Sequence, residues 1–382
     1  MTKIFQYDRL SWPEVKELPR YTPLIIPLGE GYSLKDFVAP FGDVPIIGLL
    51  PAFPFGWIGS GLSIEESIFA NLIQNLTNSL HDDGFTRVYV LSPQERLMDL
   101  KQIRITTPYT SKCIQQFPLP PESDREKVIL IPCGHTEQHA YHLPMSTDTS
   151  IIDAIAQGIV NLIPQKAARL PVMPYGVSTH RSAFAGTLNC GGRAYEDFWL
   201  AVIDQMVNRG FTKFYFINGH GGNSSFLVNT IKYAGERHHG VFCATAWLYL
   251  SGSYGVNILE KSRQSKIGGM GHACELETSL LLYLNPDLVR MEKAVDETDF
   301  ISTPSYYMDW IEGGALIANP PWYDDTISGA YGAPTLATKE KGRSWLEAAV
   351  AEKVEHVEEI HQQYKLRMER RLSGFGRWRR ET

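Results

Sequence analysis

No stretch of the 382-residue chain approaches the ~18–20 consecutive apolar residues needed to cross a bilayer, and MTKIFQYDRLSWPEV at the start lacks the apolar centre of an export signal. Neither a membrane-spanning nor a secreted protein is expected. Cysteine is scarce: Cys113, Cys133, Cys190, Cys243 and Cys274 are odd in number, scattered, and without a CxxC pair. That pattern excludes a disulfide framework and a zinc finger, and points to reduced thiols in a cytoplasmic protein. Basic residues are not in excess either. With 36 Lys and Arg against 42 Asp and Glu the net charge is -6, which argues against nucleic acid or a membrane surface as partner and leaves a small, polar molecule as the expected substrate. The remaining bulk figures, 43% hydrophobic and 20% charged, are ordinary for a globular chain long enough for two domains or one enlarged one.

What the sequence does contain is alternation. Val128–Ile131 reads as a buried strand, and apolar residues at Ile151, Ile155, Ile159 and at Ile152, Ala156, Val160 give a helix with Asp148 as its N-cap. Leu170–Met173 reads as a strand, Glu196–Asn208 as a helix ending at Gly210, and Phe214–Ile217 as a strand running into a Gly-rich turn. A helix at Phe226–Tyr233 and a strand at Val241–Leu248 continue the series. Residues 127–342 therefore predict an α/β core with a mostly parallel sheet flanked by helices, in which ligands gather at the carboxyl ends of the strands. Residues 1–100 predict an α/β extension that echoes this core. Thr22–Gly29 matches Val128–Gly134 in character, and Leu76–Leu91 matches Met206–Ile217, but the earlier copy has GEGYSL and LSPQER where the later has GHTEQH and NGHGGN. Residues 101–126, polar and Pro-rich, read as a linker. Residues 343–382 read as a C-terminal helix and basic tail: Lys341–Arg371 as a long surface helix, then Arg377-Trp-Arg-Arg380 as a solvated end.

Three clusters carry chemistry. In Gly134-His-Thr-Glu-Gln-His139, extended backbone would turn Glu137 and His139 to one side, bringing a carboxylate and an imidazole to a common point. Asp148, at a helix start, can reach two neighbouring cations, as a bridging ligand must. His220 follows a strand in Asn218-Gly-His-Gly-Gly-Asn223, whose Gly221 and Gly222 let the backbone approach an ion or substrate closely. In Gly271-His-Ala-Cys-Glu-Leu-Glu-Thr-Ser279, Glu275 or Glu277 could supply a further ligand, Glu277 being the expected ligand and Glu275 an expected catalytic residue, and His272 could move a proton between nucleophile and leaving group. Carboxylate oxygen and imidazole nitrogen without thiolate favour Zn, Mn or Fe over copper or an iron–sulfur cluster without choosing among the three, and a pair of divalent ions ~3.5–4 Å apart is expected, Zn the leading expectation. Tyr141 and His180 are candidate substrate contacts, His180 alternatively a subunit contact.

Taken in order, these clusters resemble the creatininase family over residues 128–341. Pro132-Cys-Gly-His-Thr-Glu-Gln-His-Ala-Tyr-His-Leu-Pro144 with Thr147-Asp148 follows the family pattern P-x-G-x-x-E-Q-H-G-x-H-L-P and T-D. Pro174-Tyr-Gly-x-Ser, Phe184-Ala-Gly-Thr, Asn218-Gly-His-x-x-Asn and Ser328-Gly-x-Tyr-Gly follow the later features, and Leu10-Ser-Trp-Pro-Glu-Val15 is similar to the usual family start. The resemblance implies that Glu137 and His220 hold one metal, His139 the other, and that Asp148 bridges them in a homo-oligomeric hydrolase. Two departures stand out. Creatininases proper carry a metal-binding Glu where this chain has Gly222, a gap that Glu275 or Glu277 would have to fill, and Ala140 stands where the family usually has Gly. The leading expectation is hydrolysis of an amide or lactam C–N bond in a small, polar, cyclic substrate. The alternatives are hydrolytic C–C ring opening of a cyclic keto-inositol, or a non-catalytic module binding a small anion.

Overall fold

The computed structural model describes residues 2–93, 104–106, 117–179, 184–311 and 313–373, and builds them around two parallel sheets. The first holds β1 (Lys3–Gln6), β2 (Leu24–Pro27), β3 (Ile46–Leu49), β4 (Val88–Ser92) and β5 (Arg104–Thr106) in the order β1-β3-β2-β4-β5, with α1 (Trp12–Lys16), α2 (Leu34–Val38) and α3 (Glu66–Asp82) between strands. The second holds β6 (Val128–Cys133), β7 (Ala167–Arg169), β8 (Lys213–Asn218) and β9 (Phe242–Thr245) in the order β7-β6-β8-β9. Its crossovers are α4 (Thr147–Leu162), α5 (Gly192–Asn208) and α6 (Ser224–Arg237). Every residue of β6 and β8 is buried, which is why both read as apolar runs without alternation. The α/β class with parallel sheets and flanking helices is thus what the sequence led us to expect.

The sheets share a topology. Strands β2, β3, β4 and β5 occupy the places of β6, β7, β8 and β9, in the same chain order, and β1 adds one edge strand to the first sheet. Even the isolated parallel bridge at the strand ends recurs, Leu28 to Phe53 in one and Cys133 to Met173 in the other. A degenerate copy would leave this pattern. The two units are not separately cored: Leu24 and Ile26 of β2 lie in the same buried cluster as Ile129 and Ile131 of β6. Aromatic contacts join them, with Phe53 against Phe198 at 5.9 Å and Phe55 against Trp199 at 6.0 Å.

After β9 come α7 (Ser253–Ser262), β10 (Met270–His272), α8 (Glu275–Leu284), β11 (Tyr331–Gly332), antiparallel to β10, and α9 (Lys339–Leu372). Four expectations need correcting. The strand sought at Leu170–Met173 lies at Ala167–Arg169, because Pro171 has no N–H to continue the ladder; only Leu170 N and Met173 N still donate to β6. The linker region contains an edge strand, β5, paired with β4. Asp148 is the second residue of α4 rather than its N-cap, which is Ser146. Finally, α9 is no surface helix. It buries Trp345, Ala349, Val357 and Ile360 at helical spacing, and its charge is misleading because Glu352 and Lys353 are buried as a pair at 2.7 Å. Residues 107–116 and the basic tail lie outside the described residues.

Candidate metal centre

Strands β6 and β8 are neighbours with Cys133 in register with Asn218, so the segments that follow them leave from one edge of the sheet. Glu137 and His139 come from the first segment, His220 from the second, Asp148 from the first turn of α4, and Glu277 from the first turn of α8. All five are at most 8% exposed. Three overlapping triads result, each with one ligand atom per residue within 4.8 Å of the others: His135, Glu137 and His220; Glu137, His139 and His272; His139, Asp148 and Glu277. Asp148 divides its oxygens between two rings, Oδ1 lying 3.1 Å from His139 Nε2 and Oδ2 3.1 Å from His220 Nδ1. His220 Nδ1 also lies 3.0 Å from Glu137 Oε1.

Carbonyl oxygens only accept, so they fix where each ring carries its proton. His139 Nδ1 donates to Glu137 O at 3.1 Å, His220 Nε2 to Val177 O at 3.0 Å and His272 Nε2 to Gln138 O at 2.7 Å. In the neutral ring each therefore turns its other nitrogen, as a lone pair, toward the carboxylates. Ligand histidines are oriented in this way in metal sites, and lone pairs facing carboxylate oxygens at 3.0–3.1 Å demand a cation or a proton between them. Without an ion, protons fill that need. Burial opposes protonation of His139, but Asp148, helped by Glu277 and Glu137, carries its pKa to about 9. Burial opposes it in His220 as well, and Glu137 with Asp148 raises that ring well above 6.5. The carboxylates of Glu137 and Asp148, which burial alone would push up, are held low by the histidines. Burial takes Glu277 up to about 7, with His139 only partly opposing. The donor set fits a divalent metal ion.

The other expected site residues fall apart. Glu275 is not brought to the cluster: its carboxylate accepts from Gln264 N and Ser265 N and pairs with Lys341 at 2.6 Å, so its lone pairs are already taken. Positions two apart on a helix face opposite ways, which is what separates Glu275 from Glu277. His272 joins the cluster, with Nδ1 3.6 Å from Glu137 Oε1 and Trp322 edge-on at 4.9 Å. Burial and His139 hold its pKa at about 4, so the ring is neutral. Tyr141 packs on Trp12 at 5.5 Å and donates to Ile327 O, on the rim rather than among the ligands. Gly221 has open space where a Cβ would be, but at Gly222 a Cβ would lie 2.2 Å from Val177 O and 2.5 Å from His220 Nε2. This backbone does not admit a side chain at 222. His180 lies outside the described residues.

His135 was missed by the sequence reading. The signal was there, because the alternation that aligns Glu137 with His139 aligns His135 with both. Its ring lies 4.4 Å from that of His220, and burial with the neighbouring His220 takes its pKa down to about 3, so it too is neutral.

A family model described as "Creatininase: Creatinine amidohydrolase" matches residues 119–357, more than half of the chain and none of the first five strands. The chain is 31% identical over 175 residues to a mycofactocin precursor peptide peptidase of Mycolicibacterium smegmatis, covering 44% of this chain and 62% of that one, under two thirds of its length. It is 26% identical to a creatinine amidohydrolase of Pseudomonas putida (58% of this chain, 85% of that). With a 3-dehydro-scyllo-inosose hydrolase of Thermotoga maritima the identity is 29% (58% and 73%). Among solved structures, a creatininase described as the Mn form aligns with a TM-score of 0.50 at 23% identity, over 62% of this chain and 92% of that one. A mutant creatininase of Zn–Zn type aligns with a TM-score of 0.52 at 24% identity, over the same shares. These structural likenesses speak for the fold.

Proposed function

This chain belongs to the creatininase family, and from that premise we propose that it is a dinuclear metal-dependent hydrolase of a small, polar, cyclic substrate. The observation that carries the reading is Asp148, whose two oxygens face lone pairs on two histidines that are each tied back to a carbonyl. Glu137 and His220 would hold one ion and His139 and Glu277 the other, with Asp148 shared between the two. Glu277 takes the place of the carboxylate that position 222 cannot carry. Zn comes first, with Mn or Fe able to use the same oxygen and nitrogen donors. The bound ions supply Lewis acidity and lower the pKa of water enough for attack on a carbonyl near neutral pH.

The chain's own residues do the rest. His272, neutral and with its Nδ1 lone pair facing the site, takes the proton released by the attacking water and passes it to the departing atom. Gln138 O holds that tautomer. Burial of the ligands excludes bulk water and keeps the carboxylates and histidines strongly coupled. Cleavage of an amide or lactam C–N bond is the leading reading. A second, C–C ring opening of a cyclic keto-inositol, is favoured by the Thermotoga maritima relative together with the loss of a carboxylate at 222. A cytoplasmic homo-oligomer fits the reduced thiols and the family; no helix among the described residues is long and apolar enough to cross a membrane.

The test is a panel of creatinine, other lactams, formamides and cyclic keto-inositols, assayed with Zn- and Mn-loaded protein beside the Glu137→Ala/His139→Ala double variant. Turnover of a lactam or formamide that the double variant lacks supports C–N hydrolysis, and turnover restricted to keto-inositols selects the second reading. Ligand binding retained by the double variant, with no turnover of any compound by the wild type, would leave a binding module.

A further inference from the structure

The histidine that the sequence reading passed over differs from the other three in one respect. Around the ion sites, His139, His220 and His272 each give a proton to a carbonyl and keep a lone pair for the site. His135 does the reverse. Its Nδ1 accepts from the backbone N–H of Gly176 at 2.9 Å, so in the neutral ring the proton must be on Nε2. That nitrogen is fully buried and has no hydrogen-bond partner among the described residues. A buried donor left unpaired costs on the order of 1–3 kcal/mol, and such groups persist where something else pairs with them.

The arrangement is built rather than incidental. Gly176 and Val177 together set two tautomers of opposite sense, Gly176 N donating to His135 and Val177 O accepting from His220. Asn223 fixes this dipeptide: its Oδ1 accepts from Val177 N at 3.0 Å and lies 2.3 Å from where a Cβ at position 176 would be. From the other side Tyr175 stacks on Phe53 at 5.4 Å and donates to Pro51 O. Neither ring can turn over without losing its backbone partner.

A ring that accepts from a backbone N–H has no lone pair left for a cation, although a ring nitrogen of His135 lies within 4.8 Å of the Glu137 and His220 ligand atoms. We propose that His135 is not a metal ligand but a substrate-binding donor, its Nε2–H directed to an oxygen of the reacting carbonyl beside the ion held by Glu137 and His220. The inference rests on the dinuclear reading above. In that role His135 strengthens its bond as negative charge builds on the oxygen, the behaviour expected of an oxyanion donor. The substrate class is thereby narrowed to molecules whose reacting group presents an acceptor oxygen there, an amide, lactam or ketone carbonyl.

The experiment uses Mn-loaded full-length protein with inorganic phosphate as the probe of a tetrahedral oxyanion, affinity read by calorimetry and Mn by elemental analysis. His135→Ala is expected to keep two Mn per chain and to bind phosphate about tenfold or more weakly, the loss typical of a hydrogen bond to a charged group, while His135→Gln, which restores a donor, recovers part of it. Loss of an ion in His135→Ala, or unchanged phosphate affinity, would overturn the inference and leave the dinuclear reading standing. A wild type that takes up neither Mn nor Zn would remove both. Because a substitution so deep in the core can fail to fold, nitrogen-15 spectra of the wild-type imidazoles provide an independent readout. Nε2 of His135 should stay protonated before and after Zn loading, and its deprotonation on loading would identify a ligand instead.

Discussion

The two sheets share a strand order and parallel pairing, yet among the described residues only one ends in a cluster of buried carboxylates and imidazoles. Past β6 and β8 the chain presents His135, Glu137, His139 and His220. Past β2 and β4 the corresponding edge is closed by Tyr32, whose hydroxyl lies 2.7 Å from Leu28 O and 3.1 Å from Leu91 O. One sheet leaves its strand ends open to chemistry; the other satisfies them with a phenol. The closed unit still serves the open one. Its Phe53 and Pro51 hold Tyr175, next to the dipeptide that orients two histidines, and its leading segment braces the site loops. Met145 N and Ser146 N donate to Leu10 O and Asp8 O, Trp12 Nε1 to Ser328 O, and Tyr7 OH to Gly186 O. The first unit thus carries the walls on which the second unit's cluster rests.

The sharpest way to break this comparison is to exchange like for unlike at the two edges. His220→Ala should lose an ion and reduce turnover by on the order of 10³-fold or more, several kcal/mol of transition-state stabilisation. Tyr32→Phe should leave metal content and turnover intact and cost about 1 kcal/mol in denaturant titration. A Tyr32→Phe protein depleted of metal would contradict the division of labour.

A second contrast lies within α8. Glu277→Gln should reduce metal content while the fold holds, whereas Glu275→Gln should keep both ions and lose about 1–2 kcal/mol of stability, since it removes the carboxylate that neutralises Lys341 while Gln264 Oε1 and Leu336 O still accept from that ammonium. Elemental analysis and urea titration on the pair separate the two roles.

Removing the ions should reveal the protons that replace them. In the metal-free protein the raised pKa of His139 contributes stability that is complete below its unfolded value of about 6.5 and is lost as pH rises through about 9. Denaturation midpoints of chelator-treated protein should therefore fall between pH 6.5 and 9.5, and the fall should shrink in His139→Ala. A flat profile would contradict the paired lone pairs at the site.

The smallest effect concerns Ala140, which sits at φ 55°, a left-handed conformation that glycine adopts without strain. Ala140→Gly should stabilise the protein by about 0.5–1 kcal/mol in thermal unfolding, with activity unchanged. The same backbone angle explains why a Gly is usual there in the family.

How much of this could be read beforehand depends on range. Glu137, His139 and His220 were legible because strand ends and period-two alternation are local, and a parallel sheet brings successive strand ends to one edge. The choice between Glu275 and Glu277 was legible in principle from helical geometry, once the start of α8 was known. The tautomer of His135 was not, because it depends on Gly176, 41 residues away, and on the direction of one backbone N–H. Burial of α9 was hidden for a related reason: Glu352 accepts from Gly252 N and Gly255 N, and Lys353 donates to Leu248 O, partners about a hundred residues distant. Charged residues satisfied at long range look like solvent-exposed ones in a linear reading.

The most direct test of the central claim is metal content per chain of purified protein, wild type against Asp148→Ala, after incubation with Zn or Mn. The account predicts about two ions in the wild type and a marked loss in the variant, because Asp148 is the residue that faces both histidines. No metal in the wild type, or full occupancy without Asp148, would contradict it.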